Sequence, residues 1–254
     1  MKHLFMTLFL VSCTLTPATK SPPKKTIVFI PGMHFDENSW KEVGDILSTL
    51  NFSVKTLGRL GRDHKVPEQI TLKKMAQLNC DQTPQSSVVV GHNIGGAIIN
   101  EMVGICPTKI SQIIYVAGIV PLKGEKPFET FLKADQKEYA KAVVIKNRRL
   151  IPKTPKYFFS IGDVAYKYDL ISSPKIFEES GNININPIEY KHEVFEKIPK
   201  SYIYTGRDKI LSSKSQEGYT MRAKITKTVI IPTGHYPMLS AAPQLAAEIE
   251  KLTK

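Results

Sequence analysis

The 254-residue chain is 42% hydrophobic and 23% charged, enough apolar sequence for one substantial core, which excludes disorder as its main state. Its formal charge of +12, or +11 once Lys2 in the first thirteen residues is set aside, favours anionic surroundings such as an envelope surface or an acidic ligand. No nucleic-acid motif accompanies that charge, so no nucleic-acid partner is expected.

The N-terminus reads as a targeting segment. Lys2 supplies a positive charge, and Leu4 to Val11 supply an apolar run too short to cross a bilayer as a helix. Leu10 to Cys13, LVSC, resembles a bacterial lipobox, in which Cys13 is lipidated and becomes the mature N-terminus; cleavage after Ala18 as an ordinary signal peptide is the alternative. Residues 14–25, TLTPATKSPPKK, have no apolar periodicity and read as a tether. The expectation is export to the bacterial cell envelope, with a membrane partner engaged through the lipid.

A single domain over 26–254 follows. KTIVFI (25–30) predicts a strand, and SWKEVGDILSTL (39–50) has helical spacing of Trp40, Val43, Ile46 and Leu47. FSVKTL is a strand, ITLKKMAQL a helix, SSVVV a buried strand, AIINEMVG a helix and SQIIYVAG a strand. SYIYTG and KTVIIPTG supply two more strands, and APQLAAEIEKLTK closes the chain as a helix. This alternation predicts an α/β fold with a doubly wound, mostly parallel sheet.

The segment at about 121–197 breaks the rhythm and reads as a cap over the carboxyl edge of the sheet, where open α/β folds bind ligands. Its basic stretch from Lys133 to Lys156 reads as a solvated surface. Cys80 and Cys106 each end a predicted helix beside the same strand. In an oxidising compartment they could form a disulfide at the end of the sheet away from the site, with two buried thiols as the alternative.

Special residues fall just past predicted strands: PGMH (31 to 34), GHNIGG (91 to 96), TGRD (205 to 208) and PTGH (232 to 235). Asn93, Asp208 and His235 follow one another in the chain order of an α/β-hydrolase triad, with Asn93 at the nucleophile position of a GxSxG-like turn. From Lys25 onward the chain resembles the esterase branch of the α/β-hydrolases that includes plant methylesterases, hydroxynitrile lyases and bacterial relatives. The resemblance is carried by FIPGMHFDENSW, VVVGHNIGGAII, IIYVAGIVPLKGE and PTGHYPMLSAAPQLAAEI. It departs at Pro31, where relatives have His, and at Asn93, where they have Ser.

The resemblance implies an α/β-hydrolase fold with an inserted cap. Position by position, it makes the backbone N–H groups of Met33 and Ile94 the oxyanion-hole donors, His235 the general base and Asp208 the acid that orients it. Asp163 and Asp169 are alternative acids, and His92 takes a structural role. Asn fits a turn at positive φ, but its amide has no ionisable hydroxyl and cannot form an acyl-enzyme.

Three readings follow. The first is a protein of esterase ancestry that binds a small ester or acid and has lost the covalent mechanism. The second is a hydrolase or lyase that uses His235 and Asp208 without serine, including a variant with Asn93 deamidated to a carboxylate. The third is an esterase carrying a Ser-to-Asn change. Fresh protein is expected to keep the amide, because Asn-Ile lacks the small following residue that speeds deamidation. VAYKYD (164 to 169) and PKYFFS (155 to 160) would set the substrate size. No metal site and no cofactor are expected.

Overall fold

The computed structural model describes residues 25–62, 69–161 and 175–253. Cys13, the tether up to residue 24, Asp163, Asp169 and the VAYKYD stretch lie outside the described residues. The chain runs through β1 (Thr26–Ile30), α1 (Lys41–Thr49), β2 (Ser53–Thr56), α2 (Leu72–Gln82), β3 (Ser87–His92), α3 (Ile94–Ile105) and β4 (Ile110–Val116). An inserted segment holds α4 (Lys133–Ala142), β5 (Val143–Lys146), β6 (Arg149–Pro152), α5 (Pro155–Ile161), β7 (Glu179–Ser180) and α6 (His192–Lys197). The chain ends with β8 (Lys200–Thr205), α7 (Ser213–Arg222), β9 (Lys227–Ile231), α8 (Pro237–Ser240) and α9 (Ala242–Thr253).

The main sheet has the order β2-β1-β3-β4-β8-β9, and every neighbouring pair is parallel. Helices cover both faces of such a sheet, so its central strands are continuous apolar runs: Ile27 to Ile30 and Val88 to Val90 are fully buried. Strand order reverses between β1 and β3, which pair from Ile27 with Val88 to Ile30 with Gly91. The loop after β1 and the turn after β3 therefore open side by side at the carboxyl edge, the position where parallel sheets of this kind hold ligands.

Two expected elements differ in detail. Residues 39–50 begin as a 3-10 turn at Glu37–Trp40, whose N-cap Asp36 accepts from the Asn38 amide, and become α-helical only at Lys41. The helix after β3 starts at Ile94 itself, directly from the turn. The sequence gives no expectation for the helices of the inserted segment, for the short α8 or for α7; α7 buries chiefly polar residues, Ser215, Gln216 and Thr220 with Tyr219, so it has no apolar stripe to reveal it.

In the inserted segment β5, β6 and β7 form a separate antiparallel sheet. Asn147 and Arg148, both at positive φ, make the two-residue β5–β6 turn of the kind that matches hairpin twist. Cys80 and Cys106 are joined in a disulfide with Cα atoms 6.0 Å apart, tying the end of α2 to the end of α3. The bridge closes a separation of 26 residues and should contribute about 3 to 4 kcal/mol through loop entropy. Urea unfolding with and without reductant measures this, and alkylatable thiols at both positions in the oxidised protein would contradict it.

Candidate active site

The turn after β3 is built around close backbone approach. A Cβ on Gly95 would sit 2.5 Å from the Ile30 carbonyl oxygen, and one on Gly91 would lie 2.7 Å from the Gly95 carbonyl carbon, so Gly95 lets the turn pack against β1 and Gly91 lets the first turn of α3 fold back on β3. Between them Asn93 adopts φ 50° and ψ −121°, outside the ordinary basins for a residue with a side chain. This backbone aims the Asn93 side chain at His235 while α3 starts at the next residue.

Asn93, His235 and Asp208 come together in one chain of hydrogen bonds. The Ile94 backbone N–H donates to Asn93 Oδ1 at 2.7 Å, Asn93 Nδ2 lies 2.9 Å from His235 Nε2, and His235 Nδ1 lies 2.7 Å from Asp208 Oδ2. The donors dictate the assignment. Ile94 N–H requires an oxygen, which fixes the amide orientation, and the carboxylate requires the proton on His235 Nδ1, which leaves Nε2 to accept from Asn93. Asp208 is held by the Ile210 and Leu211 amides, both at 2.8 Å, and by the Thr205 hydroxyl at 2.7 Å. Asn93 is 6% exposed and His235 1%. The carboxamide thus engages, in a nearly dry site, both the nitrogen a general base would use and one of the two expected oxyanion donors.

His92 lies beside this chain without joining it. Its Nε2–H donates to the His235 carbonyl at 2.8 Å, and burial, then the neighbouring His235, hold its imidazole well below the usual range and so neutral. A Cβ on Gly32 would lie 2.3 Å from His92 Nδ1, so only glycine brings the β1 loop, with Met33 next in sequence, this close to the turn.

That loop is held by residues the sequence did not point to. Arg62 donates to the Gly32 carbonyl at 2.8 Å and the Pro31 carbonyl at 2.7 Å, and Glu179 accepts from the His34 amide at 3.0 Å and from Arg59 at 2.8 Å. Burial would push the Glu179 carboxyl up, but Arg62, Arg59 and His34 outweigh it and hold it below the usual range. The His34 ring donates from Nδ1 to the Phe177 carbonyl and accepts at Nε2 from the Tyr139 hydroxyl, both at 2.7 Å. The inserted segment, through Tyr139, Phe177 and Glu179, therefore fixes the loop that carries Met33. Its Phe158 and Phe159, from the PKYFFS stretch, are buried beside Phe35, with Phe158 also 5.7 Å from the Tyr236 ring.

Burial lowers the His34 imidazole to about 4. Between the unfolded value near 6.5 and the folded value the unfolded chain binds more protons, so stability rises with pH in that window and is lost as pH falls through it. The loss should be roughly 3 kcal/mol. Urea unfolding at several pH values measures it; His34→Gln should flatten the slope, and an unchanged slope would assign the effect elsewhere.

Among the described residues no group of His, Cys, Asp and Glu is arranged to hold a metal, and no helix is long and apolar enough to cross a membrane. No protein-family model matches the chain. No curated protein matches it either. Solved structures do. A pyrethroid hydrolase from Sphingobium faniae superposes with a TM-score of 0.78 at 20% identity, covering 89% of this chain and 96% of its own. Polyneuridine aldehyde esterase gives a TM-score of 0.77 at 15% identity over 91% of this chain and 100% of its own. A methylesterase from Arabidopsis gives 0.71 at 16% over 91% and 99%.

Proposed function

We propose that this chain, which has the α/β-hydrolase fold of these esterases, is a protein of carboxylic-ester-hydrolase ancestry whose covalent mechanism is silenced at Asn93. One observation carries the reading: the Asn93 carboxamide lies between Ile94 N–H and His235 Nε2, in contact with one expected oxyanion donor and with the base. Asp208 and His235 keep the geometry of an oriented base, but no hydroxyl is there for that base to deprotonate.

In this account the remaining function is recognition of a small ester or acid in the crevice between the β1 loop and the β3 turn. Met33 and Ile94 supply oxyanion donors, and the inserted segment acts as the cap. A ligand oxygen that uses Ile94 N–H must displace Asn93 Oδ1, so affinity for small carboxylates should be modest. The ester assay of the parent against Asn93→Ser tests the reading. A parent that already hydrolyses esters and loses that activity in His235→Ala would instead support chemistry by His235 and Asp208 without serine.

The LVSC segment supports a place at the cell envelope through a lipid on Cys13. Cys13→Ala should move the protein from the membrane fraction to the soluble fraction. Equal solubility of both forms would contradict the anchor.

A further inference from the structure

We propose that the Asn93 carboxamide is itself a substrate of this site and is slowly hydrolysed in place to a carboxylate. The inference rests on reading Ile94 N–H as an oxyanion donor and His235 as a base. It goes beyond that reading by naming a modification of the protein.

The amide is held as a bound amide substrate would be. Its carbonyl oxygen accepts from a backbone N–H at 2.7 Å, and its nitrogen, the leaving group, faces an imidazole nitrogen at 2.9 Å. That imidazole is backed by a carboxylate at 2.7 Å. The donor at Oδ1 stabilises the charge that develops when Cγ is attacked, and His235 can move a proton at the nitrogen that leaves. The position also favours the product. Asn93 is the N-cap of the twelve-residue α3, where the helix dipole and the Ile94 amide stabilise negative charge on its side chain.

The step is a hydrolysis with water as the only co-reactant. A bond forms between the water oxygen and Asn93 Cγ, and the charge collects on Oδ1 against Ile94 N–H. The water proton passes to His235 Nε2 and from there to Nδ2. The Cγ–Nδ2 bond breaks and ammonia leaves. The net change is carboxamide plus water to carboxylate plus ammonium. In the product one oxygen keeps the Ile94 N–H, the other takes the place of Nδ2 beside His235 Nε2, and the acid proton leaves with the ammonia as ammonium. Oxyanion stabilisation and binding without a nucleophile retain on the order of 10³ to 10⁴ over water in serine hydrolases, so the conversion is slow and fresh protein retains the amide. Attack by the Ile94 backbone nitrogen is the competing route. It yields isoaspartate as well as aspartate and does not need His235.

The test is intact-mass and peptide mass spectrometry of the full chain incubated at neutral pH in heavy-oxygen water, alongside His235→Ala and Asp208→Asn. The parent should gain the mass of one amide-to-acid conversion at position 93, with one heavy oxygen and without isoaspartate. Both variants should convert at least about tenfold more slowly. An amide that persists over weeks, a product rich in isoaspartate, or equal conversion in the variants would overturn the proposal. If one variant does not fold, the other carries the comparison. An amide that persists in the parent while Asn93→Ser hydrolyses esters would overturn only this inference and leave the esterase reading standing.

Discussion

Asn93→Ser should raise hydrolysis of short-chain aryl and methyl esters at least about a hundredfold over the parent, the largest effect this account predicts. The substitution acts at two places. It puts a hydroxyl at the tip of a turn that already aims its side chain at His235, and it withdraws the amide oxygen from Ile94 N–H, which becomes available to an oxyanion. Serine has to adopt the φ of 50° that Asn93 holds. Gly95 packs that turn against β1 and Gly91 packs it against the start of α3, so the surrounding structure over-determines the conformation. An unchanged rate in a folded variant, over a broad ester panel, would mean that the pocket has diverged beyond Asn93 and would favour binding alone.

The second large effect is loss of that gain. In the Asn93→Ser background, Asp208→Asn and His235→Ala should each return hydrolysis to the parent level. Loss of the triad aspartate alone costs about 10⁴ in serine proteases, which exceeds the smallest gain expected here. If the two residues act in the transition state, as proposed, kcat should collapse while KM moves little. A fall confined to KM would assign them to ligand binding. The Asp208 carboxylate also accepts from the Ile210 and Leu211 amides, so circular dichroism should accompany the Asp208→Asn kinetics to separate lost orientation from a lost turn.

What the sequence disclosed about the site was local in the chain. Gly91, Asn93 and Gly95 stand together, and Asp208 and His235 each follow a strongly apolar strand within a few residues, so strand ends and turn chemistry were enough to place them. The brace on the β1 loop was not legible. Arg62 and Glu179 lie 117 positions apart in the chain and His34 and Tyr139 lie 105 apart; Arg62, Glu179 and Tyr139 sit in no motif, and His34, which closes PGMH, gives no sign there of its partner. The Pro31 departure shows the same limit. The changed residue before Gly32 names no partner for that loop, and only the fold shows Arg62 reaching the Pro31 and Gly32 carbonyls. Helix α7 escaped because its inward side is polar: the Gln216 side chain bonds the Thr205 amide and the Leu211 carbonyl instead of filling an apolar stripe.

The most direct test of the claim that a complete serine-hydrolase site is silenced at one side chain is covalent labelling with an active-site-directed fluorophosphonate, read by peptide mass spectrometry. The account predicts label on the serine of Asn93→Ser, loss of that label when His235→Ala is added, and no label on the parent. A folded Asn93→Ser protein that stays unlabelled, or a parent labelled at another residue while hydrolysing esters, would contradict it.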